Sequence, residues 1–439
     1  MATQRLILLS LIFIVNISNF VACYSRLQED PLRMYVDNSP NSIDDGGTLF
    51  NKNTDVLSFK RSDSDLNNTV CVNDYGAKGD GTTDDTQAFE KAWEVACSSE
   101  EGATIVVPEQ KYLLKPIRFS GPCKSNITMQ ISGDLEASDD RSDYSEDSTH
   151  WLMFDRVEKL SVKGDGTING NGNIWWQNSC KRDKKRPCKN APTAVTFYKC
   201  KNLVVEGLTI KDAQQIHVSF QHSNYVKASG LTVTAPHDSP NTDGIHVTNT
   251  QNIQISSSVI GTGDDCISIV SGSQNVKATD ITCGPGHGIS IGSLGAKKAK
   301  AFVSGITVNK AKLSGTANGV RIKTWQGGSG SASNIKFQNI EMDNVTNPII
   351  IDQNYCDQKG SCKQQDSAVE IKNVMYQNIK GTSESEMGVK FDCSDKFPCE
   401  GIVMQNIDLR LLGEEGEAAK ASCDNVQVSY IQDVSPRCP

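Results

Sequence analysis

The sequence predicts an all-β fold, a parallel β-helix with a short capping helix at its N-terminal end. Three observations predict this solenoid. After about residue 100, short Val, Ile and Leu runs alternate with polar residues at the period of a β-strand. Similar runs recur at intervals that match one solenoid coil. A single clear helical pattern precedes them.

The first 23 residues have the features of a secretory signal peptide. Met1–Arg5 carries positive charge, Leu6–Val15 is almost wholly apolar, and Val21–Cys23 offers small residues at a cleavage site. The apolar run is too short to span a bilayer, and a buried first strand is the alternative. Residues 24–67 are polar and aperiodic, so we interpret them as a flexible or removable pro-segment, or else a poorly packed cap. Residues 68–439 are then one β-helix domain.

The helical pattern lies at the start of that domain. Asp84, Asp85 and Thr86 are candidate capping residues, because carboxylates at a helix N-terminus satisfy free backbone N–H groups. Apolar residues follow in a broadly helical pattern at Ala88, Phe89, Trp93, Val95 and Ala96. A solenoid needs its open ends covered. We therefore expect this helix to cover one end and the cysteine-rich C-terminus to close the other.

The repeat itself consists of an asparagine, an alternating strand, a short turn and a second alternating strand. The first four motif asparagines are 22, 28 and 23 residues apart, and two more follow at longer gaps: Asn202, Asn224, Asn252, Asn275, Asn334 and Asn373. Asparagines at matching turns of a solenoid can stack. A β-sandwich or barrel also has short, evenly spaced strands. The repeated residue identities favour the solenoid.

Net charge and cysteine content restrict the cellular compartment and the classes of partner that we expect for this protein. The formal charge of −8 argues against nucleic acid as the main partner. Fifteen cysteines are present; without Cys23 fourteen remain, enough for seven disulfides in a secreted chain. The predicted pairs are Cys180/Cys188, Cys356/Cys362 and Cys393/Cys399, followed by Cys266/Cys283 and Cys423/Cys438. No C-x-x-C is present, so a zinc site is not expected. Candidate glycosylation acceptors are Asn67, Asn126 and Asn344.

Four stretches interrupt the repeat with charge or glycine, namely SPNTDGIHV, GTGDDCISI, CGPGHGISIG and NGVRIKTWQGG. Their first charged residues, Asp243, Asp264, His287 and Arg321, are 21, 23 and 34 residues apart, which is about one coil each. Residues one coil apart stack at the strand spacing of roughly 4.8 Å. The spacing predicts that these residues, with Asp265 and Lys323, form one stripe. Asp264 and Asp265 can both face it only if their backbone leaves the strand.

Three carboxylates beside a histidine and two cations suit the hydrolysis of a glycosidic bond. One carboxyl protonates the leaving oxygen and another activates water. Like-charge crowding raises the pKa of one carboxyl, and Arg and Lys bind an anionic sugar. A calcium-dependent lyase, a non-catalytic sugar-binding solenoid and a stabilising Asp/Arg ladder remain alternatives. Cations so close to the carboxylates disfavour calcium.

Other chemistry-bearing residues have simpler interpretations. His217 and His246 lie in alternating strands, and we expect both to be structural. The basic segment CKRDKKRPCK is interpreted as a solvated disulfide loop rather than an anchor for acidic polymer. Trp175 and Trp176 are expected to pack beneath that loop rather than stack on sugar.

The motifs NTD, GDD, GHG and RIK, in this order, resemble the four signature motifs of polygalacturonases, the glycoside hydrolases that cut pectin, in particular the secreted plant members. The resemblance extends from about Val72 to the C-terminus. It implies a right-handed β-helix and hydrolysis of α-1,4-galacturonan with inversion. It makes Asp264 the proton donor, Asp243 and Asp265 the pair that activates water, and His287 a residue that tunes the acid. Arg321, Lys323, Tyr355 and Asn241 become substrate-binding residues.

From this resemblance we expect an endo-acting enzyme in the cell wall that binds polygalacturonate. We expect it to be a monomer without cofactor or metal, and without membrane attachment once the leader is removed. An exo-acting enzyme is the alternative within the same family.

Overall fold

The computed structural model describes residues 68–356, 365–413 and 416–438, together with Cys23. Apart from Cys23, the predicted signal peptide and pro-segment lie outside the described residues. The described helices are α1 (Thr86–Ser98) and α2 (Asn173–Gln177), and short 3-10 turns cover Val72–Tyr75, Arg141–Tyr144 and Ala296–Lys298. Within these ranges no helix is both long enough and apolar enough to cross a membrane.

The strands in chain order are β1 (Thr69–Cys71), β2 (Asp80–Asp84), β3 (Ala103–Val107), β4 (Lys111–Leu114), β5 (Ile117–Ser120), β6 (Ile127–Ile131), β7 (Asp134–Ala137), β8 (His150–Asp155), β9 (Leu160–Gly164), β10 (Thr167–Asn169), β11 (Thr193–Tyr198), β12 (Lys201–Glu206), β13 (Thr209–Lys211), β14 (Val218–Gln221), β15 (Asn224–Ser229), β16 (Thr232–Thr234), β17 (Ile245–Thr248), β18 (Gln251–Gly261), β19 (Ile267–Ile269), β20 (Gln274–Cys283), β21 (Ile289–Leu294), β22 (Lys300–Ser314), β23 (Asn318–Trp325), β24 (Ser329–Val345), β25 (Asn347–Tyr355), β26 (Glu370–Ser383), β27 (Met387–Asp392), β28 (Cys399–Leu411), β29 (Lys420–Asp424) and β30 (Val426–Ser435).

These strands form a parallel β-helix, as predicted. Eleven strands, from β5 through β17, β19, β21 and β23 to β29, stack in one sheet, and nineteen form a larger bent sheet. Strands of successive coils pair in parallel, as β17 does with β19 and β19 with β21. Parallel pairing between successive coils is incompatible with the antiparallel sandwich or barrel that was the alternative. The eleven-stranded sheet, which we call the cleft sheet, positions the site.

Alternation within each strand builds the core. Inward residues of successive coils stack on one another, and Phe119, Phe154, Phe197 and Phe220 form a ladder with ring centroids 4.9, 5.1 and 5.4 Å apart. Offset aromatic stacking adds to the free energy of burying these rings. The inward alternate residues are buried, while outward ones reach solvent or the cleft. The core therefore runs the length of the solenoid.

Left-handed residues form a column along successive coils. The column passes through Asn202, Asn252 and Asn275, whose φ angles are near +55°, and the asparagine ladder is confirmed. The amide of Asn252 donates to Asn224 Oδ1 at 2.9 Å, and that of Asn275 donates to Asn252 Oδ1 at 3.1 Å. In the second motif, however, Tyr225 rather than Asn224 takes the left-handed position. Asparagine suits this column because it tolerates left-handed backbone and bonds to its neighbour.

Helix α1 covers the N-terminal end of the solenoid, as predicted. Trp93 packs on Phe119 with ring centroids 5.1 Å apart and donates from Nε1 to the carbonyl of Ser120. The capping prediction was correct for Asp84, which accepts the N–H of Thr86. It was wrong for Asp85, whose buried carboxylate accepts the N–H groups of Lys78 and Gly79 instead. Val95 was also misplaced on the packed face, since its side chain is exposed.

The disulfide predictions are largely confirmed. The structure contains the bonds Cys180–Cys188, Cys266–Cys283, Cys393–Cys399 and Cys423–Cys438. Cys97–Cys123 is an additional bond that ties the end of α1 to the segment after β5. Cys356 is disulfide-bonded, and its predicted partner, Cys362, lies outside the described residues.

Two cysteines bear on the expectation of up to seven disulfides among the fourteen cysteines that follow Cys23. Cys200 is reduced and buried, so those fourteen do not all pair with one another. Cys23, assigned to the leader, is bonded to Cys71 in the structure. A cleavage that removes Cys23 would leave Cys71 without this partner. The leader boundary at residue 23 therefore stays a proposal.

Candidate active site

All eight predicted site residues line one cleft of about 450 Å³ on the cleft sheet. The cleft is lined by Asn241, Asp243, Asp264, Asp265, His287, Arg321, Lys323 and Tyr355, and also by Lys181, Ile216, His246, Ser268, Val270, Gly292 and Ser293. The predicted residues are contributed by five segments, from the loop before β17 to the end of β25. Their convergence follows from the parallel stacking of the coils.

The prediction of a single stripe was wrong in its register. Ile245, Ile267 and Ile289 are aligned partners, so Asp243, Asp265 and His287 occupy one column just before the strands. Arg321 pairs with Ser290, three residues further along the coil than His287. The interval of 34 residues before Arg321 hid this offset, because it contains a longer coil. The long side chains of Arg321 and Lys323 span the offset.

The backbone between β18 and β19 leaves the strand conformation, as expected for adjacent aspartates on one face. Strand β18 ends at Gly261 and β19 begins at Ile267. The Asp264 carboxylate accepts the N–H of Asp265 at 2.8 Å, and its carbonyl accepts the N–H of His287 at 2.8 Å. Gly286 packs against this turn; a Cβ there would lie 2.7 Å from the Asp264 carbonyl oxygen. Glycine therefore allows the two motif loops to approach.

Asp265 is the most strongly paired carboxylate in the cleft. It is 2 % exposed. Arg321 donates to its Oδ1 at 2.9 Å and Lys323 to its Oδ2 at 3.1 Å, and Ser290 Oγ donates to Oδ1 at 2.8 Å. These hydrogen bonds and ion pairs offset the free-energy cost of desolvating the buried carboxylate. As the sequence suggested, the cations for this pair of aspartates come from a later coil.

Asp264 forms an ion pair with a histidine. Its Oδ1 lies 3.0 Å from His287 Nδ1, and the amide of Asn241 approaches its Oδ2 at 3.4 Å. Burial acts to raise the pKa of Asp264, but the hydrogen bond and charge of His287 hold this pKa below its ordinary value. The hydrogen bond to Asp264 conversely raises the pKa of His287. One proton is therefore held between these two groups.

The pKa of one carboxyl is raised, and that carboxyl is Asp243, although crowding, the expected cause, comes second to burial. Burial is the main cause, and the charges of Asp264 and Asp265 add to it, while Ser268 opposes it. Ser268 Oγ donates to Asp243 Oδ2 at 2.7 Å. The three carboxylates therefore differ: Asp265 is ion-paired, Asp264 has a depressed pKa and Asp243 has an elevated one.

Two residues of this cluster were missed or misread in the sequence. His246 Nδ1 lies 2.8 Å from Ser268 Oγ, so His246, Ser268 and Asp243 form a hydrogen-bonded chain. The expectation that His246 is merely packed was wrong, because it lines the cleft; burial lowers its pKa to about 4. Alternation offered a signal: Ile245 and Val247 face the core, so His246 must face the cleft.

His217 is structural, as expected. It is fully buried beneath the first motif, and its Nδ1 lies 2.9 Å from the carbonyl oxygen of Asp243. Burial lowers its pKa to about 4, so the ring is neutral. Its Nε2 lies 3.2 Å from the carbonyl oxygen of Thr234, but a neutral ring donates from one nitrogen only. We assign the proton to Nδ1, because its contact with the Asp243 carbonyl is the shorter one and the backbone N–H of Ala213 approaches Nε2. His217 thereby fixes the backbone of the aspartate.

The aromatic and basic features around the cleft also have clear places. Trp175 and Trp176 are buried, as expected, and Trp176 donates to the carbonyl of Ala213. The disulfide loop is exposed, as expected for a solvated loop, but its Lys181 lines the cleft. Tyr355 packs edge-on against Trp325, and its ring lies 5.7 Å from Lys323 Nζ.

The carboxylate cluster is poorly suited to a divalent cation. Donor atoms of Asp264, Asp265 and His287 lie within 4.8 Å of one another. However, both oxygens of Asp265 already accept from cationic side chains, and Asp264 Oδ1 is bonded to His287. A calcium ion bound here would have to displace Arg321 and Lys323 from Asp265, and both cationic side chains would repel it. The donor set therefore fits acid–base chemistry better than metal binding.

Comparison with known proteins identifies the family. The model of glycosyl hydrolases family 28 matches residues 97–434, most of the described domain. The chain belongs to glycosyl hydrolases family 28. Members similar to it include a polygalacturonase from Malus domestica, 65% identical over 372 residues, covering 84% of this chain and 79% of the relative. Polygalacturonase-2 from Solanum lycopersicum is 60% identical over 370 residues, covering 84% and 80%.

Solved structures of two other proteins share the fold. An exopolygalacturonase from Thermotoga maritima superposes with a TM-score of 0.68 at 20% identity, covering 84% of this chain and 93% of that one. An endo-xylogalacturonan hydrolase from Aspergillus tubingensis gives a TM-score of 0.71 at 25% identity, covering 84% and 98%. These likenesses support the parallel β-helix, and as a family 28 member this chain is a glycoside hydrolase.

Proposed function

We propose that this family 28 enzyme hydrolyses α-1,4-galacturonosyl linkages of de-esterified pectin. One observation carries the proposal: three carboxylates with different electrostatic environments and two cations converge in one cleft. The carboxylates suit glycoside hydrolysis, and the cations suit a sugar that carries a carboxylate. The similar relatives named polygalacturonase, at 65% and 60% identity, point to the same substrate.

Asp264 is the proposed proton donor. The pair of Asp264 and His287 holds one proton across a 3.0 Å contact. Because the pKa of His287 is raised and that of Asp264 is lowered, this proton rests on His287. In the productive complex it transfers to Asp264, which passes it to the glycosidic oxygen as the bond to the anomeric carbon breaks. His287 is 44 % exposed at its side chain, so it can regain a proton from solvent.

Asp243 and Asp265 are proposed to activate the water. The elevated pKa of Asp243 makes its carboxylate the stronger base, so it accepts the proton released as water attacks the anomeric carbon. Asp265, held by Arg321 and Lys323, orients that water as a fixed acceptor. Attack opposite to the leaving oxygen gives a product with inverted configuration.

Arg321 and Lys323 are the proposed carboxylate-binding residues, with Tyr355 and Asn241 at their sides. Arg321 and Lys323 are only 16 % and 12 % exposed at their side chains, so a sugar carboxylate reaching them is largely desolvated. Desolvation strengthens charge-assisted hydrogen bonds. A neutral sugar would leave the same cations without this ligand.

Endo action, secretion to the cell wall and a monomeric state belong to the same proposal. Disulfide bonds support an oxidising compartment. The acceptor asparagines Asn126 and Asn344 are exposed, and Asn67 lies outside the described residues. The proposal also includes a signal peptide in residues 1–23 and a pro-segment in residues 24–67. A fall in viscosity that precedes most reducing-end release would support endo action.

Product analysis tests the function. Purified protein is incubated with polygalacturonate, and with a neutral α-1,4-glucan as the control polymer. The proposal expects saturated oligogalacturonides from the first, none from the second, and no effect of a calcium chelator. Unsaturated products that absorb in the near ultraviolet would identify a lyase instead. Tight binding without cleavage would support the non-catalytic alternative.

A further inference from the structure

The disulfide loop of residues 180–188 places a cation in the catalytic cleft. Six of the residues from 181 to 189 are lysine or arginine, in a protein whose formal charge is −8. Among the described residues that line the cleft, Lys181 is the one that this loop contributes. Other lysines of the loop, such as Lys184 and Lys185, are exposed and do not line it. The loop therefore presents one particular lysine to the site.

Three constraints fix the position of Lys181. The disulfide Cys180–Cys188 closes the loop immediately before it. Its own N–H donates to Ser179 Oγ at 3.2 Å. Immediately after it, the guanidinium of Arg182 forms an ion pair with Asp238, in the loop that leads to Asp243. The loop is thus attached to the catalytic coil on one side and closed by a covalent bond on the other.

Lys181 and Arg321 lie on opposite sides of the carboxylates along the solenoid axis. The loop precedes β11, which pairs with β14 and then with β17 of the Asp243 coil. Arg321 lies on β23, three strands beyond β17 in the other direction. The reacting bond must lie at the carboxylates. A polyuronate crossing them has sugar carboxylates on both sides, and Arg321 and Lys323 serve one side only.

We propose that Lys181 binds the carboxylate of a galacturonosyl residue on the side of the scissile bond away from Arg321. This inference rests on the proposed function, because it assumes a polyuronate in the cleft. Lys181 is exposed, so the contact costs little desolvation and adds a modest share of affinity. It contributes equally to ground state and transition state, and its loss raises KM without lowering kcat.

Kinetics of matched variants on polygalacturonate test this binding role. Lys181→Gln is expected to raise KM about twofold to fivefold at low ionic strength with kcat retained, since exposed charge pairs contribute this much. Lys184→Gln makes the same charge change in the same loop and should leave KM unchanged. Lys181→Arg should restore most of the affinity. Added salt should reduce the difference in KM between Lys181→Gln and the wild-type protein.

The outcomes separate the two proposals. Equal KM values for Lys181→Gln and wild type would overturn the role of Lys181. Equal increases in KM for Lys181→Gln and Lys184→Gln would also overturn it. They would indicate a general electrostatic effect of the charged loop rather than a specific contact of Lys181. A wild-type protein that releases no reducing ends from polygalacturonate would instead refute the proposed function. Matching melting curves of the three variants show that the loop is intact.

Discussion

Ser268 donates a hydrogen bond to Asp243 at 2.7 Å, and this contact opposes the elevation of the pKa of Asp243 by burial and neighbouring charge. In its proposed role Asp243 must be ionised to accept a proton from water. In that role the contact would extend the activity of the enzyme to lower pH. Ser268 lies on β19, 25 residues from Asp243 in the chain, so this balance depends on the stacking of two coils.

Replacing Ser268 by Ala should move the acidic limb of the pH–rate profile upwards. The carboxylate of Asp243 loses a donor, which disfavours the charged form, so its pKa rises further. A hydrogen bond of this kind corresponds to a shift of about one pH unit. The measurement is kcat/KM for polygalacturonate against pH.

Ser219→Ala is the matched control for this shift. Ser219 occupies the same column one coil before His246, and its hydroxyl accepts from Gln221. In this variant the acidic limb of the pH–rate profile should stay at the wild-type pH. An acidic limb that stays in place, or moves downwards, in Ser268→Ala would show that Asp243 is not the group that titrates.

Replacing Asp264 by Asn should leave a folded protein with almost no hydrolysis. The amide preserves the shape of the side chain but has no proton to give to the leaving oxygen, so kcat should fall about 10²- to 10⁴-fold. Reducing-end release from polygalacturonate measures this. Asp280→Asn, at an exposed site outside the cleft, should retain full activity. Wild-type activity in Asp264→Asn would exclude Asp264 as the acid.

Removing the disulfide Cys266–Cys283 should reduce both stability and activity. The bond joins the residue after Asp265 to the strand end before the loop of His287. It closes a separation of 17 residues, so the double serine variant should lose about 3 kcal/mol in the free energy of unfolding. Loosened motif loops should also lower kcat.

The bond Cys423–Cys438 provides the control for this prediction. Its separation of 15 residues is similar, and it lies in the last coil. Its double serine variant should lose a comparable free energy of unfolding and keep kcat. If both pairs of substitutions changed kcat equally, the effect would come from global stability rather than from positioning.

The asparagine ladder should contribute to stability without affecting catalysis. Asn252→Ala removes hydrogen bonds to Asn224 and Asn275 and places alanine, which tolerates left-handed backbone less well than asparagine, at φ +55°. We expect a loss of about 2–3 kcal/mol in the free energy of unfolding. Asn252→Gly removes the same bonds without backbone strain, so its loss should be about 1 kcal/mol smaller. Chemical unfolding measures the free energy of unfolding of both variants. Equal losses for Asn252→Ala and Asn252→Gly would contradict backbone strain in the alanine variant.

Local patterns were enough to predict the solenoid, its capping helix and six residues of the cleft, while Asn241 and Tyr355 were predicted from the resemblance to polygalacturonases. Strand alternation repeats in each coil, and the four motifs are short, so each is visible within about ten residues. The disulfides that close short polar loops, such as Cys180–Cys188, could be predicted for the same reason. Cys200 and Val95 show the limit, because pairing and exposure depend on what the rest of the fold places beside a residue.

The register and the electrostatics were decided by tertiary structure alone. The Asp265 contacts with Arg321 and Lys323 join residues 56 and 58 positions apart, across coils of unequal length. Spacing in the chain does not reveal such an offset, because each insertion shifts the alignment of later coils. The elevated pKa of Asp243 depends on burial that several coils create together. The sequence by itself determined eight residues of the site; the stacking of coils added Ser268, His246 and Lys181 and determined what each residue contacts.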